Sequence, residues 1–72
     1  VRDIRQAGPN LLVITTAIGA AQRVALMLDR ISWPEVVGTV SGDDTIFVAT
    51  TSTASQRRLG ARLRDALKIT AI

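Results

Sequence analysis

The spacing of apolar residues in this chain changes from strand-like alternation to helical periodicity, and it does so twice. Residues 1–6 and 11–16 have the character of strands, and the turn sequence Gly8-Pro9-Asn10 between them predicts a hairpin. Apolar side chains then recur at helical spacing from Ala17 to Ile31. A second hairpin and a second helix follow, which gives the order ββαββα. This order predicts a two-layer α+β fold, in which two helices pack on one face of a four-stranded antiparallel sheet.

The first predicted helix is apolar around most of its circumference. Its regular stripe is Ala17, Ala21, Val24, Leu28 and Ile31, and a second apolar surface comprises Ile18, Ala20, Ala25, Leu26 and Met27. A helix that covers one sheet needs only about three apolar residues in seven. A domain of 72 residues has a small core and little material to cover both sides. We therefore expect another subunit to bury part of this helix, with burial inside the monomer as the alternative.

The second half of the chain contains clear signals for where its elements begin and end. Ser32-Trp33-Pro34 ends the first helix, because proline lacks an N–H group and biases its predecessor toward extended geometry. A second hairpin is predicted at residues 36–50. Ser52 or Thr53 then caps the second helix, with a capping box formed by Thr53 and Gln56. The residues of this helix predicted to face the sheet are Leu59, Leu63, Ala66 and Leu67.

Composition excludes several classes of site. The chain has no cysteine and no histidine, which removes disulfides, thiol or imidazole nucleophiles and zinc sites built from these residues. Trp33 and Phe47 are the only aromatic residues, so the stacking surfaces of single-stranded nucleic acid modules are missing. No apolar run approaches the roughly 18–20 residues of a membrane span, and no signal peptide pattern starts at Val1. We predict a cytoplasmic domain without a membrane partner, in which any catalysis would have to rest on Asp, Glu, Ser, Thr or Lys side chains.

The turn of the second hairpin carries two adjacent carboxylates, Asp43 and Asp44, in a chain whose net charge is +3. Tight turns favour Gly and Asp, so turn formation alone is one explanation. A second carboxylate adds repulsion, however, which a bound cation relieves. A guanidinium fits best, because it is planar and donates two parallel hydrogen bonds to one carboxylate. Magnesium is the competing cation, but two acids without a third ligand are a weak magnesium signal.

Three further features have both a functional and a structural explanation. Small residues at Gly19-Ala20-Ala21 leave the first N–H groups of the helix open to an anion such as an α-carboxylate, and Gln22 adds a side-chain amide. The structural alternative is a tightly packed helix start followed by a solvated glutamine. Asp29, at the negative end of the helix dipole, is either an exposed charge or part of a site. The second helix has a basic face, but its basic residues are not interleaved with aromatic or polar side chains that could recognise the edges of bases. This pattern favours a solvated surface over nucleic acid binding. The members of the basic face are Arg57, Arg58, Arg62, Arg64 and Lys68.

Three stretches together resemble the C-terminal domain of bacterial arginine repressors, and the resemblance covers essentially the whole chain. They are Ala20-Ala21-Gln22 after the strand at 12–16, Leu28-Asp29, and the run GTVSGDDTIF at 38–47. The last run is the most specific of the three. Ile18 departs from the family, in which proline often precedes the glycine, but this change removes none of the residues that contact the ligand in the family.

The resemblance implies a hexamer of two stacked trimers, with L-arginine bound between them and with no metal and no other cofactor. The implied arginine contacts are Asp43, Asp44 and Gln22, and the implied neighbours in the pocket are Ala20, Ala21 and Asp29. A carboxylate of the facing trimer holds the guanidinium in this family. Family members also carry an N-terminal winged helix that binds operator DNA. We expect that segment to be absent from this chain, which starts without methionine and is predicted to form one domain over residues 1–72.

The expected function is therefore L-arginine sensing and hexamer assembly within a transcriptional regulator of arginine biosynthesis or catabolism, and the resemblance implies that the domain is not an enzyme. L-Arginine is the expected corepressor, and operator DNA is contacted only through the N-terminal domain. The alternative is a constitutive oligomerisation domain with no obligatory small-molecule ligand, which assembles identically with and without arginine.

Overall fold

The computed structural model describes residues 1–67, and within them the chain forms four strands and two helices in the predicted order. The strands are β1 (Asp3–Gln6), β2 (Leu11–Thr15), β3 (Val36–Ser41) and β4 (Thr45–Thr50), and the helices are α1 (Ala21–Ile31) and α2 (Thr53–Leu67). The predicted α+β fold is confirmed. Neither of these helices combines the length and apolarity needed to cross a membrane.

The four strands form one antiparallel sheet in the order β1-β2-β4-β3. Strands β2 and β4 are therefore inner strands, while β1 and β3 form the edges. Helix α1 packs near β3 and β4, and α2 packs across β1, β2 and β4. Both helices cover the same face, because their buried side chains and those of the strands form one aliphatic core. Its members are Ile4, Leu12, Ile14, Ala21, Ala25, Leu28, Ile46, Val48, Leu59 and Leu63.

Helix α1 begins at Ala21, later than the predicted start at Ala17. The residues before it form a turn, in which Gly19 has a φ of 83° and the N–H of Ala20 donates to the carbonyl of Ala17 at 3.0 Å. A positive φ is costly for residues other than glycine and ends helical geometry. The apolar pattern missed this boundary because an alanine gives the same hydrophobic signal in a turn as in a helix.

The sheet-facing side of α1 also differs from the predicted stripe. Ala25, assigned to the second apolar surface, is buried in the core, whereas Ala17 and Ile31 from the predicted stripe are exposed. The helix ends at Ile31 as predicted. Ser32 follows it in a left-handed conformation and donates its N–H to the carbonyl of Leu28 at 3.3 Å. Leu28 in the last turn stays buried, while Ile31 at the helix end is exposed.

The start of α2 is capped by Ser52, and the predicted capping box of Thr53 and Gln56 is wrong. The N–H of Ser55 donates to the Ser52 hydroxyl at 3.1 Å. The Gln56 side chain is buried and instead donates to the carbonyls of Gly8 at 2.9 Å and Leu11 at 2.7 Å. This amide therefore fastens the first hairpin turn to α2.

The face of α2 toward the sheet is shorter than predicted. Leu59 and Leu63 are buried in the core, but Ala66 is exposed. The Leu67 side chain and Lys68, both named in the sequence predictions, lie outside the described part of the chain.

Candidate functional site

The acidic turn between β3 and β4 lies against the start of α1 through its backbone. The carbonyl of Asp43 accepts hydrogen bonds from the N–H groups of Gly19 at 2.9 Å and Ala21 at 3.4 Å. The carbonyl of Asp44 accepts from the N–H of Thr16 at 2.8 Å. Main-chain hydrogen bonds thus join two motifs that are far apart in the sequence.

The carboxylates of this turn are left for other partners. Both aspartates are exposed. Asp44 accepts a hydrogen bond from the hydroxyl of Thr45 at 3.0 Å, and within residues 1–67 neither acid forms an ion pair. Two adjacent negative charges without a basic neighbour attract a cation. These carboxylates are accessible to a cation, and the cation-site interpretation of the turn stays a prediction.

The start of α1 offers less to an anion than the sequence predicted. The N–H of Ala21 is already bonded to Asp43, and the Ala21 side chain is fully buried in the core. In the described part of the chain, the N–H groups of Gln22 and Arg23 have no carbonyl partner. Ala20 is half-buried and precedes the helix without a capping side chain. The donors that remain for a ligand carboxylate are these two N–H groups and the exposed amide of Gln22.

Asp29 lies on the same side of α1 as Gln22. The two residues are seven positions apart, which is about two turns and roughly 10 Å along the axis. Asp29 is exposed, and its Oδ1 accepts a hydrogen bond from the hydroxyl of Thr39 in β3 at 3.2 Å. This side of the helix therefore borders the β3 edge, and Leu26, which is 51% exposed, lies between the two polar residues. The structure brings the turn, Gln22 and Asp29 to one flank of the molecule.

Apolar side chains are exposed near this flank, both on the outer face of the sheet and in the turn before α1. On the sheet face away from the helices, cross-strand pairing aligns Arg5, Val13, Phe47 and Val40 in one row. Phe47 is 49% and Val40 is 72% exposed, and a surface pocket of about 260 Å³ lies between them and the turn. Ile18, in the turn before α1, is 81% exposed. A contiguous patch of exposed apolar side chains is typical of interaction surfaces, whereas a single exposed one is common on any protein.

The basic face of α2 is partly used within the molecule. Arg58 and Arg62 contact the buried carboxylate of Glu35 at 3.4 Å and 3.0 Å, and the Arg62 guanidinium lies 5.7 Å from the centre of the Trp33 ring. Arg57 is exposed, and Arg64 is half-buried. An arginine paired with a buried acid is not free for phosphates, so the structure weakens the nucleic acid interpretation.

Sequence reasoning missed Glu35 as a buried partner and did not single out Thr39 or Thr45. Both threonines lie inside the 38–47 motif, and their position beside candidate acids was the available signal. A hydroxyl contact such as the one from Thr39 to Asp29, however, depends on tertiary packing. Residues 1–67 contain no group of three or more acidic side chains that could hold a metal ion, so the magnesium alternative gains no support.

Comparison with known proteins gives a consistent set of relatives. A family model described as "Arginine repressor, C-terminal domain" matches residues 1–65. The chain is 51% identical over 55 residues to an arginine repressor of Caldicellulosiruptor bescii, covering 76% of this chain and 36% of that protein. It is 49% identical over 65 residues to an arginine repressor of Koribacter versatilis, covering 90% of this chain and 43% of that protein. It is 43% identical over 68 residues to an arginine repressor of Solibacter usitatus, covering 94% of this chain and 46% of that protein.

The chain thus spans less than half the length of these three relatives. All three are named as repressors and none as an enzyme, which agrees with the expectation of a non-enzymatic role.

Proposed function

Because this chain belongs to the arginine repressor C-terminal domain family, as its motifs predicted, we propose that it senses L-arginine for a transcriptional regulator of arginine biosynthesis or catabolism. The observation that carries this proposal is the acidic turn, whose backbone is bonded to the start of α1 while both carboxylates are exposed. Such a turn is rigid enough to define a site and leaves its charges available to a ligand.

In the proposed site the two ends of L-arginine meet different groups. Asp43 and Asp44 provide carboxylates for a cationic end, and the fork of a guanidinium suits them best. Gln22 and the N–H groups at the start of α1 suit the ligand carboxylate, because the helix start carries a partial positive charge. Asp29 is a second acid on the same flank, and Ala20 with the backbone of Ala21 borders the pocket. No metal or other cofactor enters this proposal.

We also propose that the domain assembles into trimers and that two trimers form a hexamer. Exposed apolar residues on α1 and on the outer sheet face support assembly, since a chain of this size has a small core. In the hexamer a carboxylate of the facing trimer holds part of each arginine. A ligand that binds across two trimers favours the assembled state, so L-arginine acts as corepressor by stabilising the hexamer.

The whole regulator extends beyond the part described by this chain. We propose that operator DNA is bound by an N-terminal winged helix, because the arginine repressors that match are more than twice as long as the matched region. The same proposal places the protein in the cytoplasm, without a membrane partner and without catalytic residues.

Analytical ultracentrifugation with and without L-arginine tests this proposal. At protein concentrations low enough for trimers to dissociate from one another, added L-arginine is expected to shift the sedimentation coefficient toward that of the hexamer. Calorimetry should detect binding under the same conditions. L-Citrulline is the matched control, because its side chain has nearly the same shape but no charge and should cause no shift. The absence of both a shift and binding heat with L-arginine contradicts the proposal.

A constitutive oligomerisation domain is the second candidate. The exposed apolar surfaces favour it to the same degree, because they predict assembly whether or not a ligand is present. The ultracentrifugation experiment separates the two candidates. A hexamer that sediments identically in the presence and absence of L-arginine, with no binding heat, supports this second candidate.

A further inference from the structure

The outer edge of β1 presents main-chain groups that no other strand of residues 1–67 pairs with. Strand β1 stands at the end of the sheet, with β2 as its neighbour on one side. The N–H of Ala7 donates to the carbonyl of Leu11 in the first hairpin at 2.9 Å. Because antiparallel pairs alternate between bonded and non-bonded, Arg5 is also bonded to β2. The main-chain groups of Ile4 and Gln6 therefore point away from the sheet.

A surface groove of about 480 Å³ lies along this free edge. Its lining comprises Asp3, Ile4, Arg5 and Gln6 of β1 and Arg64 of α2. The Nε of Arg64 is buried, and within residues 1–67 it has no hydrogen-bond acceptor. Buried polar groups in folded proteins are nearly always paired, and an unpaired donor on a charged group is costly. The groove thus combines open main-chain groups with a buried donor that lacks an acceptor.

We propose that this groove binds an extended, acidic peptide segment of a partner protein, which adds a strand beside β1. In strand addition, main-chain hydrogen bonds provide affinity, and alternate side chains provide specificity. Ile4 is fully buried toward the helices, so a peptide residue on the same face lies next to α2. A glutamate or aspartate there accepts the hydrogen bond of the Arg64 Nε. A carboxylate suits this donor best, because hydrogen bonds between ionised groups are the stronger ones.

A second copy of this chain does not bring such an acid to the groove from its own edge strands. Asp3 alternates with Ile4 and therefore lies on the face away from the helices, where it accepts a hydrogen bond from Arg5 at 2.7 Å. Antiparallel pairing of two β1 strands keeps it on that face. The other edge strand, β3, contains no acidic residue. Strand β1 is also short and charged, and both features discourage pairing between copies.

The proposed peptide site is separate from the acidic turn. That turn follows β3, which forms the opposite edge of the sheet. Binding of a partner at β1 therefore does not depend on L-arginine binding, and the two proposals can fail independently.

Fluorescence anisotropy with a synthetic probe tests the proposal on the whole chain. The probe is the peptide Thr-Val-Thr-Glu-Thr-Val-Thr, blocked at both ends and labelled with an uncharged dye, in which valine and the central glutamate share one face. The matched peptide has glutamine in place of glutamate. The chain is expected to bind the glutamate peptide roughly tenfold more tightly, because a hydrogen bond between charged groups contributes more than one to a neutral amide.

Two substitutions separate the charge from the strand pairing. Arg64→Met removes the donor but keeps a long side chain, and it should remove the preference for glutamate over glutamine. The unfolding temperature should not fall, since the same change removes an unpaired buried donor. Gln6→Pro removes an N–H group on the free edge, where proline is tolerated, and should weaken binding of both peptides. Arg57→Met, at an exposed position of α2, is the control and should retain the preference.

Several results overturn the proposal. They are failure of the unmodified chain to bind either peptide, equal affinity for the two peptides, a preference that survives Arg64→Met, and binding that Gln6→Pro does not weaken. Sedimentation of the chain without peptide tests the other occupant. If Gln6→Pro lowers the association state, a second copy pairs with this edge, and the partner peptide is excluded.

The same variants should bind L-arginine with the affinity of the unmodified chain. Loss of L-arginine binding by the unmodified chain removes the proposed function and leaves the peptide site standing. Loss of peptide binding alone removes only the site at β1.

Discussion

Replacing Asp43 or Asp44 with alanine is expected to abolish L-arginine binding in at least one of the two variants. Hydrogen bonds to charged groups contribute about 1.5–3 kcal/mol each, and a guanidinium commonly forms two of them with one carboxylate. Because about 1.4 kcal/mol corresponds to a tenfold change in affinity, losing both bonds weakens binding roughly 100-fold or more. Calorimetric titration of each variant with L-arginine measures this loss.

The same substitutions should leave the fold and the proposed trimer intact. Main-chain carbonyls of the two aspartates hold the turn against α1, and their side chains are exposed, so alanine preserves the contacts that position the turn. Asp65→Ala is the matched control, since it removes the charge of another exposed acid, on α2. It should bind L-arginine normally. Undiminished affinity in both turn variants would move the site elsewhere, and loss of the trimer in either would assign the acid a structural role.

Replacing Glu35 with alanine is expected to cause the largest loss of stability among single substitutions outside the aliphatic core. Glu35 is only 6% exposed, and its carboxylate contacts both Arg58 and Arg62. The backbone carbonyl of the same residue accepts from the N–H of Thr51 at 3.3 Å, so Glu35 joins the segment before β3 to the β4–α2 connection as well as to α2. Removing one partner of a buried ion pair strands the other charges and opens a gap.

The expected cost is below that of a fully buried pair. Both arginine side chains are about half exposed, and water compensates them in part when the acid is lost. We expect a decrease of about 2–3 kcal/mol in the free energy of unfolding, which for a domain of this size is about 10–20 °C in Tm. Thermal and urea unfolding at a fixed protein concentration measure it, because assembly makes Tm depend on concentration.

Arg57→Ala provides the comparison for this experiment. Arg57 lies on the same helix and is exposed, and within residues 1–67 it forms no ion pair. Its replacement should change stability by less than about 0.5 kcal/mol. If Glu35→Ala were as mild as Arg57→Ala, the ion pairs would contribute nothing to folding.

The order of the elements was predictable because apolar periodicity differs between strands and helices. Boundaries were harder, and the start of α1 shows the reason. Ala17 and Ala20 carry the same hydrophobic signal in a turn as in a helix, so only the φ of Gly19 distinguishes them. Gln56 illustrates a second limit, because a side chain that matches a local capping motif was recruited by the first hairpin, 45 and 48 positions away.

The candidate site was predictable only in its parts. Asp43, Asp44 and Gln22 stood out through charge, turn chemistry and the family motif, whereas their spatial relation depends on backbone hydrogen bonds between distant segments. Glu35 escaped notice because charged residues are usually exposed. Its burial depends on arginines 23 and 27 positions later in the chain, and no local pattern encodes that pairing.

The position of β4 in the middle of the sheet has a consequence for local unfolding. Hydrogen exchange and partial opening usually begin at edges and ends, where few backbone groups are paired. The acidic turn leads directly into β4, which is bonded to β2 on one side and to β3 on the other. Opening of the β1 edge therefore leaves the β4 end of the turn paired on both sides. Opening of the β3 edge, in contrast, frees the other end of the turn, so the acidic turn loosens from its β3 side while β4 stays paired with β2.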